Sequence, residues 1–321
     1  APSDSPLSGY MTEVNFVDGI AKAPTDFGET DDNGTWIPKR YMGVYGTNGF
    51  YLPMRPTTQA TGFNTVLYAG NNGTQAITGV GFTPDFVWIK QRTDTSSNVL
   101  SDTIRGAGKS ILSNSTGAED TNNIYGYLSA FNNNGFTVAT GTSNAGRTNE
   151  TSDNYVAWCW DAGSSTVTNG TGALSAQVRA NPATGFSIVK VTGTSTGVTT
   201  IRHGLGIVPK MILKKTTSHT TNWGVYHASA GASQVGHVNL NNAFSSSSEW
   251  GSTTPTTSLF SNYVNNGYTD IFYCFADVTG YQKIGSYTGN GSTSGPTITT
   301  GFRPAWVLIK NATTGGVSWV I

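Results

Sequence analysis

The chain has 321 residues, 11% of them Asp, Glu, Lys or Arg, and a formal net charge of zero. An ordinary soluble domain carries about 25% charged residues, so Gly, Ser, Thr and Asn supply the polarity, which is the chemistry of turns and of hydroxyl- and amide-solvated sheets. There is no Lys/Arg cluster to mark a nucleic-acid surface, and no stretch approaches the ~20 apolar residues of a membrane span.

In chain order, Ser8 to Gly19 alternates like a strand ending at an Asp-Gly turn. A polar loop, Asp31-Asp32-Asn33-Gly34, follows, then Trp36-Ile37-Pro38-Lys39 and Tyr45 to Leu52. So short a segment has too few apolar residues for a core of its own. Residues 1–55 therefore read as the C-terminal end of a domain, and the sequence as a window on a longer polypeptide.

The rest is organised around one stretch that occurs three times. GFTPDFVWIK (Gly81–Lys90) returns as GIVPKMILKK (Gly206–Lys215) and as GFRPAWVLIK (Gly301–Lys310). Pro marks the strand entrance because it donates nothing to a ladder. The apolar run behind it is too short for a helix, and being apolar on both faces it predicts a strand buried in a two-layer sandwich. Upstream, ATGFNTVLYAG (Ala60–Gly70) matches ATGFSIVKVTG (Ala183–Gly193) and KIGSYTGNG (Lys283–Gly291); downstream, NNNGF (Asn132–Phe136) is aligned with NNGY (Asn265–Tyr268). The closing strands are Tyr155–Trp160 and Ile271–Phe275, with Cys159 and Cys274 at equivalent places. Two thiols a domain apart cannot form a disulfide, and both read as buried small hydrophobes.

The offsets, 125 residues (206 − 81) and 95 (301 − 206), differ through an insertion near Ala139–Asp153 and a linker near Asp161–Pro182. A unit of about a hundred residues is a whole domain. The expected fold is all-β: after the opening segment, β-sandwich repeats at 60–162 and 183–279 and the start of a third at 281–321, arranged as beads on a string.

The opening GYMTEVNFVDG…DFGE resembles the last strand and exit of concanavalin-A-like (laminin-G-like) jelly-roll domains in tail proteins of tailed bacteriophages. The repeat resembles a tandem domain of unknown function in the same kind of tail protein, through Gly81–Lys90, Gly135-Phe136, Tyr155–Trp160 and Tyr287–Gly291. Repeat two departs from that pattern at Ile207 to Met211 and in a shorter closing strand. The resemblance implies a virion location and transfers no catalytic residue, cofactor or ligand; by analogy such fibres are often homotrimers.

Each candidate chemistry has a structural competitor. Arg105-Gly106-Ala107-Gly108-Lys109-Ser110 looks like the end of a phosphate-binding loop, but Thr103 stands where the first Gly belongs, so a turn is the better reading. His203, His219, His227 and His237 all fall in repeat two, at spacings matching no short metal motif. Asp31-Asp32-Asn33-Gly34 offers calcium oxygens without the alternating spacing of a calcium loop. The sparse glutamates, Glu119 and Glu150 among them, suggest no buried acid–base pair. Trp88, Trp158, Trp160, Trp223, Trp250, Trp306 and Trp319 could stack on sugars, and Trp250, within the polar run Ser245–Thr254, is the exposed candidate for glycan contact.

These readings converge on a non-enzymatic structural and adhesive component of a phage tail fibre or appendage, without cofactor or metal. Its expected partners are other tail proteins and a host cell-surface glycan or protein. A capsid decoration or structural filament, and a bacterial surface adhesin, are the alternatives.

Overall fold

A computed structural model of the protein describes residues 14–30, 34, 36–39, 41–52, 62–170 and 172–321. The described chain is all-β, and its one helical turn is a 3-10 turn at Pro24–Asp26. Two compact units emerge, Ala1–Ala60 and Thr61–Ile321.

In the first unit β1 (Val14–Phe16) pairs with a later strand, β4 (Phe50–Leu52), and β2 (Gly28–Thr30) pairs with β3 (Trp36–Pro38). The Asp18-Gly19 turn forms as expected: Gly19 takes a φ of +82°, and the Asp18 carboxylate accepts from the Asn48 backbone and side-chain amides. The predicted strand residues before Val14 lie outside the described residues.

The second unit begins with β5 (Phe63–Ala69), β6 (Gln75–Thr78), β7 (Phe86–Gln91), β8 (Val99–Asp102) and β9 (Ile111–Leu112). Repeat one ends with β10 (Tyr127–Asn132), β11 (Gly135–Ala139) and β12 (Asn154–Trp160). Then come β13 (Thr166–Asn169), β14 (Ala176–Asn181), β15 (Phe186–Thr192), β16 (Gly197–Arg202) and β17 (Pro209–Thr216). The last strands are β18 (Gly224–His227), β19 (Gln234–Val235), β20 (Ser245–Ser246), β21 (Leu259–Val264) and β22 (Thr269–Ala276). Repeat one has a five-stranded sheet, β5-β12-β7-β8-β9, covered by the three strands β10-β11-β6. Repeat two has a six-stranded sheet, β13-β14-β15-β22-β17-β18, covered by β16-β21. The motif strands β7 and β17 hold equivalent places beside the closing strands β12 and β22.

Four expectations need correction. The predicted linker is not a linker, because β13 and β14 occupy it and add to the large sheet of repeat two. NNNGF and NNGY are not equivalent. The first turns β10 into β11 within one small sheet, whereas the second carries small-sheet β21 into large-sheet β22.

The beads are also not separate. Phe86, Trp88, Leu100 and Trp160 of repeat one share one buried cluster with Phe186, Ile188, Leu213, Tyr273 and Phe275 of repeat two. Successive strand residues point to opposite faces, so Val87, Ile89 and Cys159 face the small sheet of repeat one while Phe86, Trp88 and Trp160 face repeat two. The two large sheets are thus the inner layers of a four-layer stack. That is why their central strands are apolar on both faces, where a two-layer sandwich leaves one face wet.

The fourth correction concerns the last copy of the repeat, which forms no ladder. Ile309 makes one isolated bridge, to Val320, and Lys283–Gly291 forms no strand. In the other copies the equivalent stretches, β5, β15, β7 and β17, pair with a closing strand, and no counterpart of β12 or β22 follows Lys310 within the 321 residues. Trp306 and Leu308 still pack on the shared core, whereas Val307 and Ile309 stay exposed.

The glycine that opens each motif copy is left-handed in all three, at φ +87° for Gly81, +72° for Gly206 and +84° for Gly301. A Cβ on Gly206 meets no atom within 4 Å. Gly206→Ala is therefore expected to lose about 1–2 kcal/mol through backbone conformation alone, read as a lower urea midpoint with an unchanged slope.

Candidate functional site

The structure puts Trp250 in the core. It is 1% exposed, packs with Ile201 and Phe260, and meets Tyr226 edge-on at 5.8 Å. The polar run misled because its backbone turns tightly, Gly251 N–H donating to Ser248 O at 2.9 Å, and inserts the one large side chain inward. Trp250 is thereby excluded as a glycan contact in this fold.

The other candidates are structural as well. Both nitrogens of buried His203 are engaged, by Thr256 O at 3.1 Å and Leu205 N–H at 3.3 Å, and burial lowers its pKa. His219 stacks on Tyr268 at 3.5 Å, His227 accepts from Ser229 N–H, and His237 Nδ1 donates to Trp223 O at 2.6 Å. Glu119 pairs with Arg105 at 3.3 Å and Glu150 accepts from Asn72 and Ala145 N–H. The Asp31–Asn33 loop lies outside the described residues. Cys159 and Cys274 are buried free thiols on the closing strands, and burial raises the Cys274 pKa to about 12.

Two structural roles escaped sequence reasoning. Arg105, in the phosphate-loop look-alike, is a buried joint between repeats. It ion-pairs with Asp102, donates to Leu100 O at 2.9 Å and approaches the Tyr273 hydroxyl of repeat two, which itself donates to Asp102 at 2.7 Å. The lysine that closes each motif copy grips carbonyls rather than facing solvent. Lys90 Nζ donates to Gln91, Asp94 and Ser96 O, Lys215 to Thr116, Thr216 and Thr221 O, and Lys310 to Asn241, Asn311 and Val317 O. Its recurrence at the motif end was the visible signal.

Burial pulls the Lys215 pKa down to about 8, with the Asp270 carboxylate opposing. An unfolded lysine titrates near 10.4, so between about pH 8 and 10 the unfolded chain binds more protons and this group's contribution to stability rises with pH. Buried Tyr68 and Tyr273, raised by desolvation, contribute the opposite slope once pH passes their unfolded value. The stability difference between the parent and Lys215→Met is expected to widen in the parent's favour from pH 7.5 to 9.5 in urea titrations. A flat difference would contradict the shift.

A cleft of about 450 Å³ opens where the three copies of the repeat meet. Trp88 and Trp319 line it with Asn98, Asn114, Asn239, Asn241, Ser113 and Ser318 and with the aliphatic Val238, Leu240, Leu308 and Ile321, and among the described residues no charged side chain lines it. Trp88 Nε1 is fixed by Asn98 Oδ1 at 3.1 Å and Trp319 Nε1 by His237 O at 2.8 Å, so both rings are held. Trp88 is 2% exposed and only floors the cleft, so the half-buried Trp319 ring is its one aromatic face, and that ring beside neutral amides and hydroxyls suits an uncharged polyhydroxylated ligand.

No curated protein and no solved structure matches the chain. Residues 59–321 match the family model described as a domain of unknown function, DUF7483, and the chain belongs to that family.

Proposed function

We propose that the protein is a non-enzymatic virion component, part of a tail fibre or related appendage of a tailed phage, that attaches the particle to a host-surface glycan. The attachment reading rests on the uncharged cleft, whose held Trp319 ring and surrounding asparagines offer stacking and amide hydrogen bonds to a neutral sugar. The virion reading rests on the resemblance of the Gly-x-x-Pro strand, the Tyr155–Trp160 strand and Tyr287–Gly291 to tail-protein repeats. Other tail proteins are the partners on the particle, and a homotrimer is the assembly suggested by analogy.

Immunogold microscopy with antibody against residues 60–280, on virions and on uninfected cells, tests this reading. Label on tail appendages is expected. Label on the head alone would assign the protein to capsid decoration, and label on uninfected cells without any on particles would assign it to a cellular adhesin.

A further inference from the structure

The junction between repeats one and two consists of main-chain and side-chain hydrogen bonds in a fixed register. Trp223 Nε1 donates to Leu112 O at 2.9 Å, and Lys215 Nζ and Thr221 N–H both donate to Thr116 O, at 3.1 and 3.0 Å. Glu119 N–H donates back to Thr217 O at 2.8 Å.

The junction between repeats two and three repeats these bonds one for one. Trp319 Nε1 donates to His237 O at 2.8 Å, and Lys310 Nζ and Gly316 N–H both donate to Asn241 O, at 3.4 and 3.0 Å. Phe244 N–H donates back to Ala312 O at 3.0 Å. The acceptor residues are shifted by 125 (237 − 112, 241 − 116, 244 − 119), the Gly81-to-Gly206 offset. The docking residues are shifted by 95 (310 − 215, 312 − 217, 316 − 221), the Gly206-to-Gly301 offset, with one extra residue before Trp319. Unrelated side chains at the acceptor positions make the same bonds because the main chain supplies the carbonyls. What recurs on the docking side is the motif's closing lysine and a tryptophan behind it.

Repeat one lacks that signature. Asn98 stands where Trp223 and Trp319 stand, and it accepts from its own repeat's Trp88. Lys90 takes its third carbonyl from Asp94 within its own loop. The three copies also touch pairwise. Phe86 of repeat one stacks on Tyr273 of repeat two at 4.3 Å, and Trp160 of repeat one meets Trp306 of the third copy at 5.4 Å. In a straight row the middle repeat would hold the outer two roughly 30 Å apart, about one domain diameter.

We propose that this junction is a directional docking surface whose partner is another repeat of the same family. A repeat displaying carbonyls in the register of Leu112 and Thr116 captures a following repeat that carries the closing Lys and the Trp. Successive use of this head-to-tail contact turns the copies around a common aromatic centre instead of extending them. The Lys/Trp pair sets the order of repeats, and repeat one, without the Trp, is the member that starts the series.

Hydrogen exchange on the full chain tests the proposal amide by amide. Lys310→Met, at a half-buried position, is expected to speed exchange of the Phe244 and Gly316 amides about tenfold or more, leaving those of Glu119 and Thr221 unchanged. Trp223→Phe, which keeps a ring in the core while removing the Nε1 donor and part of the indole volume, is expected to do the reverse. Unchanged exchange at both pairs, or equal acceleration through the core strands β12 and β22, would overturn the docking role.

Discussion

Trp160→Ala is expected to cost the protein about 3–5 kcal/mol, the range for emptying an aromatic site in a packed core. The residue is 3% exposed, and its ring lies 4.9 Å from Phe63, 5.2 Å from Phe86, 6.2 Å from Phe186, 6.3 Å from Phe275 and 5.4 Å from Trp306. Those partners span all three copies of the repeat. The parent Thr61–Ile321 unit should therefore unfold as one calorimetric transition, and the variant should separate it into two as the repeats lose their common filling. A loss below about 1 kcal/mol with a single transition retained would show that the repeats are held together elsewhere.

Arg105→Met is expected to be comparably severe, at about 3–5 kcal/mol, because it strands a buried carboxylate. Asp102 is fully buried and depends on the Arg105 side chain, the Arg105 N–H at 2.8 Å and the Tyr273 hydroxyl. Most of that loss reflects the orphaned charge rather than the worth of the pair. The triple variant Asp102→Leu, Arg105→Met, Tyr273→Phe should therefore recover much of the stability in denaturant titrations. If the triple variant were as unstable as the single one, the network itself and not the stranded charge would be the stabilising element.

Much of the fold was legible because the repeated motif carries its own physics. Gly81, Gly206 and Gly301 mark one left-handed position, Pro marks a strand entrance, and the apolar run marks a central strand. Cys159 and Cys274 were placed correctly as equivalent buried thiols because each sits between aromatics on a closing strand. The stacking of the repeats was written in the same run and misread: residues apolar on both faces signal two covered faces, and only the next repeat covers the second. Asp161–Pro182 read as a linker because it only filled the excess offset between copies, with no counterpart in the repeat pattern to mark its two strands. The site was less legible. Trp250 looked exposed from polar neighbours in sequence, yet tertiary packing decided its place. Trp319 and the asparagines around it come from all three copies, so no local pattern could assemble them. Arg105 was hidden because its partner Tyr273 lies 168 positions away.

The measurement that bears most directly on the account is a spin-label distance between Asn114→Cys in repeat one and Ser318→Cys in the third copy. Both positions line the cleft, and native Cys159 and Cys274 are buried away from label. Copies gathered around a shared centre predict a distribution centred below about 20 Å, whereas a distribution centred beyond about 30 Å, the span of an intervening domain, would mean a row of beads and would contradict the account.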